Sequence, residues 1–313
     1  MYSRKQIRIW EPVAHSDTVI SALAMGLVQL LDVSPVDGAG DGLHFSGPRK
    51  VDGVGRVFGG QVVAQALMAA SRTVPEDRPV HSLHGYFMRP GSEEFGIDYA
   101  VDADMDGKAF SNRRVVARQQ GKPIFNMTAS FHVPEPGLTH QVEMPDAPPP
   151  ETLTSFADYV WTYPELASPV LKRMLAQPSP FDYRPVAQMT PEALKQPHPE
   201  QALCWIKVGT GPLDISQRRQ RALLAWISDT LLLASAYRAH GIQIGMDDYQ
   251  SASIDHSMWF HEDVQCGEWL LYAIQSPWTG DARGLAFGRY FTRDGRLVAS
   301  VSQEGLMRRV EGT

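Results

Sequence analysis

The chain has 313 residues, 43% of them apolar and 20% charged, the composition of an ordinary folded protein with enough length for about two units. Thirty-five acidic against 29 basic residues leave a net charge of −6, which excludes a general electrostatic attraction to nucleic acid phosphates. The two cysteines, Cys204 and Cys266, have neither CxxC nor Cys/His ligand spacing, so no metal or cofactor is expected and a reducing cytoplasm is the expected compartment.

The first apolar run, Val19 to Leu31, is too short for a bilayer span and is broken by Ser21, Gly26 and Gln29. With Glu11 and Asp17 before it and Asp32 behind it, it is expected to be neither a membrane anchor nor a signal peptide. The pattern predicts a helix with Ser16 or Asp17 as its N-cap.

Next come FGGQVVAQALMAA (Phe58 to Ala70), VHSLHGYFMRPG (Val80 to Gly91) and GKPIFNMTASFH (Gly121 to His132), which read as a helix followed by strands. Most of the chain's 23 prolines fall between Pro134 and Pro199, including Pro148-Pro149-Pro150, so this stretch predicts a connector in which Phe156 to Trp161 and Pro169 to Leu175 form short helical turns. Beyond it the order repeats: ISDTLLLASAYRA (Ile227 to Ala239), ASIDHSMWFHED (Ala252 to Asp263) and GRLVASVSQEGL (Gly295 to Leu306). Matching Gln61 to Asp229, His84 to His256 and Gly121 to Gly295 gives a nearly constant separation, the mark of an internal duplication. The expected units are residues 17–133, a connector 134–200, and residues 201–313.

Both predicted helices are apolar all round, through Val62, Val63, Ala64, Ala66, Leu67 and Met68 in one and Leu231, Leu232, Leu233, Ala234, Ala236 and Tyr237 in the other. Such a helix must be enclosed by protein. An α+β fold in which an antiparallel sheet curls about each helix, two units side by side in a double hotdog, satisfies that requirement.

Three polar residues stand out where the second half departs from the first. Asp229 takes the place of Gln61, Ser253 that of His81, and Gln303 that of Ala129. Asp229 is expected in the first turn of its helix, where backbone N–H groups and the helix dipole favour a carboxylate, and Ser228 or Asp229 equally suits the helix cap. Gln303 alternates with Leu297, Ala299 and Val301 and so points inward, where its amide needs a partner: a bound water, a substrate carbonyl or the backbone. The inward face around Ser253 is left open by the run SIDHSMWFH.

The strings VFGGQVVAQAL, VHSLHGYFMRPG, GKPIFNMTASFH, IDHSMWFH, EWLLY and QEGLMR resemble the bacterial acyl-CoA thioesterase II (TesB-type) family from about residue 20 onward; RKQIRIW near the start falls outside the likeness. The resemblance implies a double hotdog, hydrolysis of fatty acyl-CoA, and a catalytic trio at Asp229, Ser253 and Gln303, with Ser253 where the family commonly has Thr. In this reading Asp229 is the base, Ser253 and Gln303 orient the water, and backbone N–H groups near Gly59 or Gly60 hold the oxyanion. Direct attack by Asp229 is a second route. The expected partners are an acyl-CoA and further copies of the chain, with neither nucleic acid nor stable membrane insertion.

Competing readings carry less. There is no GxSxG elbow for a serine hydrolase. His256 and His261, five positions apart on a strand, face opposite ways and do not form a metal pair, and His81 and His84 are likewise split. Asp247-Asp248 reads as a solvated turn. A non-catalytic acyl-CoA binder or a hotdog enoyl-CoA hydratase are the alternatives on the same fold.

Overall fold

The computed structural model describes residues 16–36, 43–51, 53–166, 172, 175, 177–197, 201–242 and 249–310. RKQIRIW, much of Pro169 to Leu175, and Asp247-Asp248 lie outside the described residues.

Helix α1 (Asp17–Leu31) starts after Ser16 and buries Ala24, Leu27, Val28 and Leu31, one stripe of a 3.6-residue period. Strands β1 (Ser34–Pro35) and β2 (Leu43–Gly47) lead to helix α2 (Gly59–Ser71), buried from Gly60 to Ser71. Four antiparallel strands follow: β3 (Val80–Phe87), β4 (Ile97–Asp106), β5 (Phe110–Gln119) and β6 (Lys122–His132). The proline-rich stretch holds α3 (Phe156–Thr162), β7 (Phe181–Pro185) and the single turn α4 (Pro191–Leu194). The second half comprises β8 (Ala202–Val208), α5 (Gln217–Ser228), α6 (Ala234–Arg238), β9 (Tyr249–Ser253), β10 (Asp255–Phe260), β11 (Leu270–Gly280), β12 (Arg283–Thr292) and β13 (Leu297–Arg309).

The strands form one sheet in the order β1-β2-β4-β5-β6-β3-β10-β13-β12-β11-β8-β7, with β9 paired to β13. Read outward from its middle, the order β3-β6-β5-β4-β2 is matched by β10-β13-β12-β11-β8. Each half-sheet curls about its own helix, and the two are joined where β3 meets β10 antiparallel, from Tyr86↔Asp255 to Ser82↔Trp259. This is the double hotdog. Among the described residues no helix is long and apolar enough to cross a membrane.

Strand β7, inside the proline-rich stretch, pairs with β8 and extends the second half-sheet. The earlier part of that stretch covers the face of this sheet turned away from the helices, where Met144, Ala147 and Leu153 pack on Trp205, Leu271, Ala273 and Phe291. It is held by Trp205 Nε1 donating to the Pro148 carbonyl (2.9 Å) and by the Arg293–Glu151 ion pair (2.7 Å).

The second central helix is not the expected Ile227 to Ala239 segment. It is α5, which ends at Ser228 with Asp229 as its C-cap; the chain then turns through Leu231 at φ +64° before the short α6. QRRQRALLAWIS does not read as an all-apolar helix because its first turns are polar. Two of those polar residues, Gln220 and Arg221, are buried with hydrogen-bond partners. Arg221 donates to the Val80 carbonyl and to Asp263 (both 3.0 Å), and Gln220 donates to the Leu213 carbonyl (3.1 Å) and accepts from Cys266 N–H (3.0 Å). The counterpart of Asp229 is therefore Arg72, the C-cap of α2, rather than Gln61.

Helices α2 and α5 pack antiparallel. The start of α2 meets the end of α5, and Arg218 at the start of α5 donates to the Val74 carbonyl just beyond α2 (3.2 Å). The close approach depends on Gly60, where a β-carbon would strike the Trp226 carbonyl oxygen and the Phe58 ring. Gly60→Ala should therefore cost about 1–3 kcal/mol of stability by overpacking. Gly26→Ala, in α1 with nothing within 4 Å of the new methyl, should gain about 0.5–1 kcal/mol from helix propensity. Urea unfolding of the two variants measures both; an unchanged midpoint for Gly60→Ala would mean that the helix crossing is not tight.

Candidate active site

The structure brings Asp229, Ser253 and Gln303 together. Asp229 is delivered by the end of α5, Ser253 by the last position of β9, and Gln303 by the middle of β13, where it is 1% exposed. The Ser253 hydroxyl donates to Asp229 Oδ1 (3.2 Å), and Gln303 Nε2 donates to Ser253 Oγ (2.5 Å). The sheet fixes this meeting: β9 pairs with β13 so that Ser253 stands opposite Gly305, two residues beyond Gln303.

The setting of Asp229 differs from the expected one. As a C-cap it lies at the unfavourable negative end of its own helix. The compensating N–H comes from the other half of the molecule, from Gly60 in the first turn of α2. Gly59 completes the cradle, since a β-carbon there would sit 2.7 Å from Asp229 Oδ2 and 3.1 Å from the Phe87 ring. Burial pushes the Asp229 carboxyl above its ordinary value, opposed by the nearby His256 and by hydrogen bonds from Gln303, Ser253 and Gly60. The residue is nonetheless only half-buried.

Ser253 does not begin a continuous strand with the residues after it. β9 ends at Ser253 and β10 restarts at Asp255, so the break at Ile254 resets the alternation. In β10 the inward residues are His256, Met258 and Phe260. The next step in the register after Ser257↔Ser302 sets His256 opposite Gln303, just as Leu83 faces Ala129 in the first half. The match of His84 to His256 was thus one residue out of register: His84 is exposed and bonds to Ser257 (3.0 Å), whereas His256 is fully buried. His256 bonds through Nδ1 to Gln303 Oε1 (2.9 Å) and through Nε2 to Ser228 Oγ (2.8 Å), contacts that the sequence reading missed. The signal was its alternation with Met258 and Phe260.

The other histidines lie elsewhere. His261 bonds to Ser300 (2.9 Å), and His81 bonds to Ser130 (2.8 Å) beside Phe110 and His132, with burial pushing its ring below the ordinary value. Among the described residues no group of His, Cys, Asp and Glu is arranged to hold a metal ion.

A mainly apolar cavity of about 2170 Å³ is walled by Leu27, Phe58, Phe181, Trp226, Leu231 and Ile274, with Arg49, Lys50 and Arg56 also on its lining; it reaches the trio through Thr230, the chain neighbour of Asp229, while Asp229, Ser253 and Gln303 themselves lie behind that wall. Trp226 is fixed between Phe58 and Phe181, each with its ring centre 4.6 Å away. The last turn of α5 is anchored from below by the Tyr272 hydroxyl, which donates to the Ser228 carbonyl (3.0 Å).

Residues 181–306 match the family model for acyl-CoA thioesterase, and residues 48–132 match that for the acyl-CoA thioesterase N-terminal domain. The chain is 38% identical to acyl-CoA thioesterase 2 of Haemophilus influenzae, over 92% of this chain and 99% of that protein. It is also 38% identical to human acyl-coenzyme A thioesterase 8, over 85% and 83% of the two chains. The crystal structure of acyl-CoA thioesterase II TesB2 from Mycobacterium marinum superposes with a TM-score of 0.73 at 34% identity, over 92% of this chain and 99% of that one. A hotdog protein from Alicyclobacillus acidocaldarius, at 19% identity and a TM-score of 0.70, shares the fold. The chain belongs to the acyl-CoA thioesterases of the TesB type, double-hotdog thioester hydrolases.

Proposed function

We propose that the chain hydrolyses fatty acyl-CoA with a water activated by Asp229 and oriented by Ser253 and Gln303. The observation that carries this reading is the Asp229 carboxylate itself, held between the first turn of α2 and the Ser253–Gln303 pair, with its chain neighbours Thr230 and Leu231 on the wall of an apolar cavity. A group placed there for packing would not be a carboxylate, because desolvating one is costly.

The acyl chain lies in the cavity, with Arg49, Lys50 and Arg56 suited to the phosphates of CoA. Asp229 takes a proton from the water as its oxygen adds to the thioester carbonyl; the tetrahedral intermediate then expels the CoA thiolate, which takes up a proton to leave thiol and fatty acid. The raised proton affinity of Asp229 makes it a stronger base than an exposed aspartate. Because the Gly60 N–H is directed at Asp229, the oxyanion is assigned to the Gly59 N–H, which has no intrahelical acceptor at the start of α2.

A thiol reagent following CoA release from palmitoyl-CoA tests the activity directly; binding without release would leave a passive acyl-CoA module. Asp229→Asn should lower kcat by about three orders of magnitude, on the scale of losing a catalytic base. It should also raise the thermal midpoint at neutral pH. The folded-state proton affinity of Asp229 is raised, so folding is favoured by its protonated form and penalised as pH rises through that value; a neutral amide removes the penalty. Full activity in Asp229→Asn would assign the residue to capping alone.

The acid limb of kcat/KM should have its midpoint above 3.8, the ordinary aspartate value, since protonating Asp229 removes the base. A limb at or below that value would separate Asp229 from the titration.

Gln303→Ala restores the residue that the first half carries at Ala129. It should reduce kcat by about one to three orders of magnitude with little change in KM, by analogy with loss of an oxyanion donor. A large fall in thermal midpoint with kcat preserved would identify Gln303 as a packing residue.

A further inference from the structure

The hydrogen-bond chain at Asp229 continues past Gln303. With Gln303 Nε2 donating to Ser253 Oγ, its Oε1 turns to His256 Nδ1 at 2.9 Å. An amide oxygen only accepts, so Nδ1 carries a proton. The other ring nitrogen faces the hydroxyl of Ser228, the residue immediately before the carboxylate. That hydroxyl also lies 2.9 Å from the Ala225 carbonyl and has a single proton to give. With the proton on Nδ1, Nε2 of the neutral ring is free to accept from the Ser228 hydroxyl.

We propose that His256 is a positioning residue for the hydrolysis: its Nδ1–H holds the Gln303 amide with the NH2 turned to Ser253 and the attacking water. This rests on the roles given above to Asp229, Ser253 and Gln303. A flipped amide would set its NH2 against the Nδ1–H unless the ring also moved its proton to Nε2, and in either tautomer it would set its oxygen against Ser253. Ser253 would then turn its hydroxyl to that oxygen, and Asp229 would lose its donor. On the side of the ring, solvent cannot replace the lost contact, since His256 is 0% and Gln303 1% exposed. Nor does the fold require the polar pair, because the first half fills the corresponding places with Leu83 and Ala129, both fully buried. Asp229 from the end of α5 and Asp255 from its own strand lie within electrostatic reach of the ring.

The test measures kcat, KM and thermal midpoint for His256→Leu, His256→Asn and His256→Gln, alongside Gln303→Ala and the double variant His256→Leu/Gln303→Ala, on a saturating fatty acyl-CoA. The side-chain N–H of Asn falls near the place of Nδ1, whereas that of Gln reaches the place of Nε2. His256→Leu should lower kcat about 10- to 100-fold with KM little changed, on the scale of a misplaced hydrogen-bond donor. His256→Asn should recover most of the loss and His256→Gln should not. In the Gln303→Ala background, His256→Leu should have no further effect on kcat. Where His256→Leu does not fold, the contrast between Asn and Gln decides.

Equal kcat in all three His256 variants, with only the midpoint lowered, would make the histidine structural and overturn the proposal. So would a His256→Asn as impaired as His256→Leu together with loss of a limb of the pH profile, which would make the ring a proton carrier. If Gln303→Ala is impaired and His256→Leu is not, this proposal alone falls; if Gln303→Ala keeps full kcat, the reading of the site falls and takes this proposal with it.

Discussion

The structure turns on the crossing of two buried helices at Gly60. Without a side chain there, the first turn of α2 approaches the last turn of α5 closely enough for its backbone to meet the Trp226 carbonyl and for the Gly60 N–H to reach Asp229. The two helix ends are electrically complementary, because unpaired N–H groups at one face unpaired carbonyls and a carboxylate at the other. The site is therefore a product of the two-unit architecture: one half supplies the carboxylate, and the other supplies the N–H that stabilises its charge.

This arrangement has an energetic consequence. A carboxylate removed from water costs free energy unless it is fully bonded, and Asp229 retains a raised proton affinity despite donors from Ser253, Gln303 and Gly60. The protein carries that cost in a region that is otherwise strongly stabilised. α2 is buried along nearly its whole length, α5 is tied by Gln220 and Arg221 to backbone groups around it, and stacked Tyr272 and Tyr290 lie 4.0 Å apart beneath its end. Rigid surroundings keep the carboxylate from relaxing into a better-solvated and less basic position.

The fold could be read in the sequence because a helix with no polar face, such as Val62 to Met68, leaves few architectures open, and because the same order of elements occurs twice. Helix α5 was misplaced for the complementary reason. Its polar residues are buried, and burial of Gln220 and Arg221 is decided by partners on β3 and in the loop before β11 that no local pattern reveals. At the site, Gln303 was visible as an amide on an apolar strand face, and the trio came through the family resemblance. The donor to Asp229 was assigned to its own helix when it belongs to the other one, a contact between distant parts of the chain. His256 was hidden by a one-residue register error, which in a strand exchanges the two faces and turned an inward histidine into an unplaceable one.

The duplication also explains why the two halves are not equivalent chemically. Both central helices end in a serine followed by a charged cap, Ser71–Arg72 in α2 and Ser228–Asp229 in α5. Across the neighbouring strands, the His256–Gln303 pair of one half corresponds to Leu83–Ala129 in the other. At the opposite end of the helix pair, the cap Arg72 is taken up by Asp32 (2.6 Å), which Arg219 from the start of α5 also binds (2.9 Å). That end thus carries an ion cluster that ties α1 to both central helices. The helix pair thus ends differently on its two sides, closed by cations around Asp32 at one end and holding the Asp229 carboxylate at the other. With a guanidinium at the cap and Leu83–Ala129 on the facing strands, the first end has no counterpart of either Asp229 or Gln303, so the polar cluster forms at one end of the helix pair and not at the other.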